Sequence, residues 1–447
     1  MPDSVTHIYF IGIGGIGMSA LARYYLQNNY RVAGYDRTET PLTQKLTEEG
    51  ALITYVDDIN EIPKTFTKPS TTRVIYTPAI PKESAILNYF NSGKFNITKR
   101  ALALGQIAQN HKTLAVAGTH GKTTTSTLLA HLFRHAGVNS TAFLGGISAN
   151  YQTNFWSDDE EGILVAEADE YDRSFLQLKP ETAIITSMDA DHLDIYGNGD
   201  LLKETFLEFA KQVQNKLVAR ADLSLKGYSY AVNNQADFYA ENIRIENHAY
   251  YFDLHLQSQK IENIRCGLPG IHNVENATAA AGVACLHGLS AEDIKSGIES
   301  FKGVRRRFEY HINRPDLVYI DDYAHHPKEI EALLTSVRDL YPQQKITVIF
   351  QPHLFSRTRD FMAEFAEVLS MADDVILLDI YPAREKPIAG VSSTVLAQKI
   401  SAEKSHHLPR TEALLYLKES KPTVTLTVGA GDIDQMINSV KLTLLNG

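Results

Sequence analysis

Short apolar runs alternate with stretches of helical period along the chain, and the runs end repeatedly at glycine or at charged residues. His7–Ile13 is apolar and stops at glycines, Met18–Gln27 spaces its apolar residues as a helix does, and Arg31–Tyr35 is a second run closing at Asp36. Runs at Leu52–Val56 and Arg73–Thr77 follow, the latter entering a turn marked by Pro78 and Pro81. Strands separated by helices of this kind predict a parallel βα sheet.

The same rhythm restarts at Thr113–Ala117. A glycine-flanked turn leads into a helix with Leu128, Leu129, Leu132 and Phe133 on one face, and strands Gly162–Ala166 and Thr182–Thr186 come next. From Lys216 to Cys266 the period changes to short alternating runs such as Tyr250–Leu256, which read as antiparallel strands. An alanine-rich helix, Asn276–His287, then precedes a basic turn at Arg305–Arg307. Beyond it, strands Leu317–Ile320, Ile346–Phe350, Asp374–Leu378 and Thr423–Val428 alternate with helices. Ligands collect at the carboxyl ends of strands in open α/β sheets. Those ends here carry Asp321–His326, Gln351–Arg359, Tyr381–Lys386 and Gly429–Asp432, which predicts one shared binding edge.

At 447 residues the chain is long enough for about three domains. Apolar residues make up 44 %, but no run approaches the roughly 18–20 that cross a bilayer, and no basic start with an apolar core marks a signal peptide. The expected setting is cytoplasmic, with no membrane partner. Cys266 and Cys285 lie far apart and in no metal-ligand spacing, so two buried thiols are the simplest reading. A formal charge of −10 argues against a nucleic-acid partner, which requires a basic footprint.

The strongest chemical signal is Gly118-Thr119-His120-Gly121-Lys122-Thr123-Thr124, set between a strand and a helix. Glycines there admit phosphate to backbone amides, the helix start supplies partial positive charge, and Lys122 neutralises phosphate oxygens. The Thr123 hydroxyl suits the magnesium of a bound nucleotide. Glu167, Asp169 and Glu170 close one neighbouring strand and Asp189-Ala-Asp191-His192 the next; Glu167 and His192 are the candidate metal contacts, with Asp169 and Asp191 behind them. Gly12-Ile-Gly14-Gly15-Ile-Gly17, with Asp36 ending the following strand, fits a diphosphate cradle. NAD and a UDP-linked substrate both present that diphosphate, and the motif alone does not separate them. His272-Asn273 and Asn276 read first as helix caps, and otherwise as contacts to a base. Arg305–Arg307 is a solvated turn or the source of an arginine for ATP. Of the adjacent His325 and His326, at least one faces the strand-end edge, and His353, Arg357 and Arg359 share a loop in which an arginine suits a carboxylate.

In their order along the chain these motifs resemble the Mur ligase family over its whole length. The resemblance is nearest to its alanine-adding branch, through Gly12–Met18, Asp189-Ala-Asp-His-Leu-Asp194, Phe350-Gln-Pro-His353…Arg357-Thr-Arg359 and Tyr381-Pro-Ala383…Pro387. It implies an α/β chain of three domains. Residues 1–105 would form a Rossmann-like domain holding the UDP-sugar, residues 106–308 a P-loop-type central ATP-binding domain with added antiparallel strands, and residues 309–447 a Rossmann-like domain for the amino acid. By matching motif, Gly12, Gly14, Gly15, Gly17 and Asp36 carry over to UDP, and Lys122, Thr123, Glu167 and His192 to ATP and Mg2+. Asn273, Asn276, Arg307 and Asp322 carry over to adenine, ribose or phosphate, and His325, His326, Arg357 and Arg359 to the amino acid and reaction site. The sequence departs from the family pattern at Leu354, commonly arginine, and at Tyr35, commonly serine. Near Leu207 it offers no lysine of the kind that related ligases carbamylate.

The implied reaction joins L-alanine to the carboxylate of UDP-N-acetylmuramate at the expense of ATP, through an acyl phosphate and with no covalent enzyme intermediate, in the synthesis of peptidoglycan precursors. A hydrolysable acyl phosphate would call for closure of the third block against water. The rival readings are a ligase that recycles whole peptides onto the same UDP-sugar, an NAD-dependent oxidoreductase and a nucleotide-switched binding protein.

Overall fold

The computed structural model describes residues 5–158, 162–189, 196, 199–257, 259–383 and 385–446. The chain divides into two compact units. The first comprises 1–241, 254–262 and 275–301; the second comprises 242–253, 263–274 and 302–447.

The first unit opens with strands β1 (His7–Ile11), β2 (Arg31–Tyr35), β3 (Leu52–Thr54), β4 (Thr72–Tyr76) and β5 (Asn96–Lys99) in the order β3-β2-β1-β4-β5, all parallel. Ile8, Phe10 and Ile75 pack on one face and Tyr9, Ile11 and Val74 on the other, which is why these strands read as continuous apolar runs. The order reverses between β1 and β4, and at such a switch point the carboxyl ends splay into a crevice. Gly12–Gly17 leave β1 at that place and enter the helix Ile16–Gln27.

A second sheet has ten strands: β6 (Lys112–Ala117), β7 (Ser140–Ser148), β8 (Thr153–Ser157), β9 (Ile163–Glu167), β10 (Thr182–Ile185), β11 (Lys216–Arg220), β12 (Tyr228–Val232), β13 (Phe238–Glu246), β14 (Ala249–Leu256) and β15 (Gln259–Arg265). Its order is β15-β14-β13-β12-β11-β10-β6-β9-β7-β8. The first strands of the stretch expected to be antiparallel, β11 and β12, instead extend the sheet in parallel. Alternation reports one solvated face, not direction, so it misleads there. The turn between β13 and β14 does have a hairpin's form, with Asn247 and His248 both at positive φ. Because β6 lies between β9 and β10, whatever follows β6 is flanked by the ends of both neighbours.

The second unit carries a six-stranded sheet of β16 (Glu309–Arg314), β17 (Leu317–Asp322), β18 (Ile346–Phe350), β19 (Asp374–Leu377), β20 (Lys404–His407) and β21 (Val424–Val428). The order is β16-β17-β21-β18-β19-β20, parallel except for β16. The polar clusters expected to share one edge therefore follow neighbouring parallel strands.

Candidate active site

Between β6 and the helix Lys122–His135 the backbone must turn sharply, and glycine permits it. Gly118 has φ +136°, and a Cβ there would lie 2.0 Å from the Thr186 hydroxyl. The loop is tied to the end of β10. Thr119 and Ser187 hydroxyls are 2.8 Å apart, the His120 amide donates to Ser187 Oγ at 2.9 Å, and Thr186 Oγ1 donates to the His120 carbonyl at 2.5 Å. His120 Nε2 stands 3.8 Å from the Asp189 carboxylate. Thr123 and Thr124 lie in the first turn of the helix, where the amides of a helix start suit an anion. Lys122 bends back over the loop, donating to the Gly118 carbonyl at 2.6 Å and to Glu170 Oε1 at 2.9 Å, with Glu170 Oε2 in ion-pair contact at 2.7 Å. Burial alone would lower the lysine's pKa, but the carboxylates of Glu170, Asp169 and Glu167 together hold it above its ordinary value. It stays cationic.

Glu167 ends β9 on the loop's other flank and accepts from the Gly145 amide at 3.1 Å. Beside it is a small cavity of about 90 Å³ lined by Gly17, Arg100, Gly145, Glu167 and Asp169. Arg100 packs against Gly17 and pairs with Asp169 at 3.1 Å. The end of the glycine-rich loop and the carboxylates of Glu167 and Asp169 thus open into one space. Asp36 accepts from the Gly14 amide at 2.8 Å, so its carboxylate fixes the loop's shape. The hydroxyl of Thr123 and the carboxylate of Glu167 are hard oxygen donors of the kind Mg2+ takes, and the donor chemistry fits that ion.

In the second unit, the four polar clusters meet. Gln351 donates to Asp432 at 2.9 Å, the Leu354 amide donates to the Tyr381 carbonyl at 2.9 Å, and Arg306 donates to the Gly429 carbonyl at 2.6 Å. His353 stacks on Tyr381, and its ring centroid is 6.1 Å from that of His325. Burial, more than the Arg357 charge, lowers the pKa of His325 against the opposing pull of Glu329. The imidazole is therefore neutral near pH 7 and able to take a proton. Asp322 accepts from the Phe308 and Ala324 amides, each at 2.7 Å, and burial raises its pKa to about 6. Arg306 pairs with the buried Asp321 at 3.1 Å, while Arg307 lies 3.8 Å from Glu329 and over the Tyr323 ring.

Three Mur ligase models cover most of the chain: "Mur ligase family, catalytic domain" over 7–112, "Mur ligase middle domain" over 116–284 and "Mur ligase, glutamate ligase domain" over 306–431. The chain belongs to the Mur ligase family. It is 48 % identical over 441 residues to UDP-N-acetylmuramate–L-alanine ligase of Flavobacterium psychrophilum, covering 98 % of each chain. It is also 48 % identical over 447 residues to the ligase of the same name from Christiangramia forsetii, covering 99 % of each. Among solved structures, UDP-N-acetylmuramate–alanine ligase of Thermotoga maritima superposes with a TM-score of 0.84 at 27 % identity, over 98 % of this chain and 99 % of that one. A murein peptide ligase from Psychrobacter arcticus shares the fold at a TM-score of 0.72 and 21 % identity, over 99 % of both.

Within this Mur ligase several residues do other work than the sequence predicts. The helix expected at Asn276 begins at Ile271, so Asn273 and Asn276 sit inside it and do not cap it. Asn273 donates to the Pro269 carbonyl at 2.6 Å, and Asn276 accepts from Thr125 at 3.0 Å beside Gly121. His326 is the N-cap of the helix Pro327–Leu340, in a capping box with Glu329, which leaves His325 as the histidine at the strand-end edge. Arg359 is exposed and pairs with its neighbour Asp360. His192 and Asp191 lie outside the described residues. Glu170, Ser187 and Arg100 contact Lys122, His120 and Asp169, and sequence reasoning gave them no role of their own. Glu170 was visible only as one acid of a cluster, and nothing local marks the other two.

Proposed function

We propose that this chain joins the amine of L-alanine to the carboxylate of UDP-N-acetylmuramate, cleaving ATP to ADP and phosphate, in peptidoglycan precursor synthesis. The observation that carries this reading is the phosphate loop with its cationic Lys122, in a chain nearly half identical, end to end, to enzymes named for that reaction. Gly12–Gly17 cradle the UDP diphosphate where β1 passes into its helix, with Asp36 holding the loop through the Gly14 amide. The amides at the helix start, Gly121–Thr124, receive the ATP phosphates, and the Lys122 ammonium stabilises charge on the transferring γ-phosphoryl group. Thr123 and Glu167 would hold Mg2+, which neutralises phosphate charge when bound, and His192 matches the family motif as a further ligand.

The substrate carboxylate attacks the γ-phosphorus directly, giving an acyl phosphate and ADP. The neutral amine of alanine then attacks the acyl carbon, its proton passes to a base, and phosphate leaves. His325, neutral and near Arg357, is suited to accept that proton, while Arg357 matches the alanine carboxylate. Asn273, Asn276, Arg307 and Asp322 remain the family-matched positions for adenine, ribose or phosphate.

Phosphate release with ATP, Mg2+ and UDP-N-acetylmuramate, measured across a panel of amino acids and peptides, tests the substrate assignment. Turnover with alanine is expected, and turnover with peptides alone would favour the recycling reading. With heavy oxygen in the muramate carboxylate, one labelled oxygen should appear in each phosphate released. Label in AMP would show adenylation in place of the acyl phosphate.

A further inference from the structure

His325 lies in the turn between β17 and the helix Pro327–Leu340, and two acceptors orient its ring. Nδ1 is 3.0 Å from the Tyr323 carbonyl oxygen and 3.4 Å from Glu329 Oε2. A carbonyl oxygen has no proton to give, so the nitrogen facing it carries one. In the neutral ring that puts the lone pair on Nε2, and no described residue hydrogen-bonds to that atom.

The carboxylate beside Nδ1 comes from the first turn of the same helix. Glu329 Oε2 also accepts from the backbone amides of His325 at 3.0 Å and His326 at 3.3 Å, so the main chain fixes its position. Glu329 favours the imidazolium form of His325. Arg357, from the helix Phe355–Asp360, and Arg307, from the turn before β16, oppose it. The rings of Tyr323 and His353 flank the imidazole, with centroids 5.3 and 6.1 Å away. A carboxylate on the Nδ1–H side holds an imidazole in one tautomer and stabilises the cation formed when Nε2 takes a proton.

We infer that Glu329 is a positioning residue for the ligation step: with the Tyr323 carbonyl it holds His325 as the Nδ1–H tautomer, so that Nε2 receives the proton leaving the alanine amine and Glu329 balances the charge. This rests on the reading of His325 as the base. Glu329→Gln separates the role from helix capping, because glutamine keeps an oxygen that can accept both amides and lacks the charge. Ring-nitrogen NMR on the full chain with nitrogen-15-labelled histidine, using His325→Gln to assign the signal, should show the Nδ1–H form at neutral pH. In Glu329→Gln the His325 titration should move down by about one pH unit, as removal of a nearby opposite charge requires. The melting temperature should stay close to that of the unsubstituted protein, and the acid limb of alanine-dependent kcat/KM should follow the NMR titration. An Nε2–H ring, or a titration that Glu329→Gln leaves in place, overturns the inference. The NMR reads the ring whether or not it is the base. An acid limb that survives His325→Gln, beside an NMR titration that follows Glu329, would remove His325 as the base and with it the proton transfer to Nε2, while the tautomer stood.

Discussion

Lys122 is clasped by both carboxylate oxygens of Glu170, a side chain wholly removed from solvent. A buried carboxylate cannot be left alone with its charge, and a buried lysine cannot either, so each holds the other in place. The pair presents a fixed cation to whatever phosphate enters the loop.

Two consequences separate the roles of the partners. Lys122→Ala should lower ligation by about 10²-fold or more, as loss of charge stabilisation at a transferring phosphoryl group does. Glu170→Leu alone strands the lysine and should destabilise the fold by roughly 3–5 kcal/mol. The double variant Lys122→Met/Glu170→Leu should regain much of that loss while remaining inactive. Thermal unfolding and phosphate release are the measurements; a double variant no more stable than Glu170→Leu would break the pairing argument.

Gly14→Val puts bulk where a Cβ would already lie 2.7 Å from Thr43 and 2.9 Å from Asp36. The loop should open, and UDP-N-acetylmuramate binding should weaken at least ten-fold. ATP binding at the separate phosphate loop should survive. Calorimetry with each ligand reads the two effects independently, and equal losses would point to general unfolding.

Arg357→Ala should raise the KM for alanine far more than that for ATP, since the arginine matches the amino acid's carboxylate. Initial rates with each substrate varied in turn decide this. Equal shifts would assign Arg357 to the phosphates or to the fold.

The pH dependence has a definite sign. His325 has a pKa below its unfolded value, so the neutral imidazole persists through pH 6.5 and is lost only as pH falls through the lower folded value. Alanine-dependent kcat/KM should therefore lose its base on that acidic side. Protonation there also costs stability, because the unfolded chain binds the proton more readily. His325→Gln should be slow at neutral pH and lack that acid limb. An unchanged profile in a folded variant would exclude His325 as the base.

Local spacing determined the parts of this protein whose chemistry is local. A strand, a glycine turn and a helix start are contiguous in both Gly12–Gly17 and Gly118–Thr124, so the backbone cradle and its lysine were legible without any contact information. The alternation of strands and helices gave the α/β class for the same reason. Direction within the second sheet was not legible, because short strands such as β11 and β12 carry no local mark of the direction in which they pair, and they pair in parallel. Nor could spacing choose among Glu167, Asp169 and Glu170: the three acids look alike, and only packing 48 residues away buries Glu170 against Lys122. Arg100 reaches Asp169 across 69 positions and carries no local mark. His326 looked equivalent to His325 until a helix began after it and took its side chain as a cap. Backbone geometry is encoded nearest-neighbour by nearest-neighbour, whereas the partner of a buried charge is decided only when distant segments exclude water together.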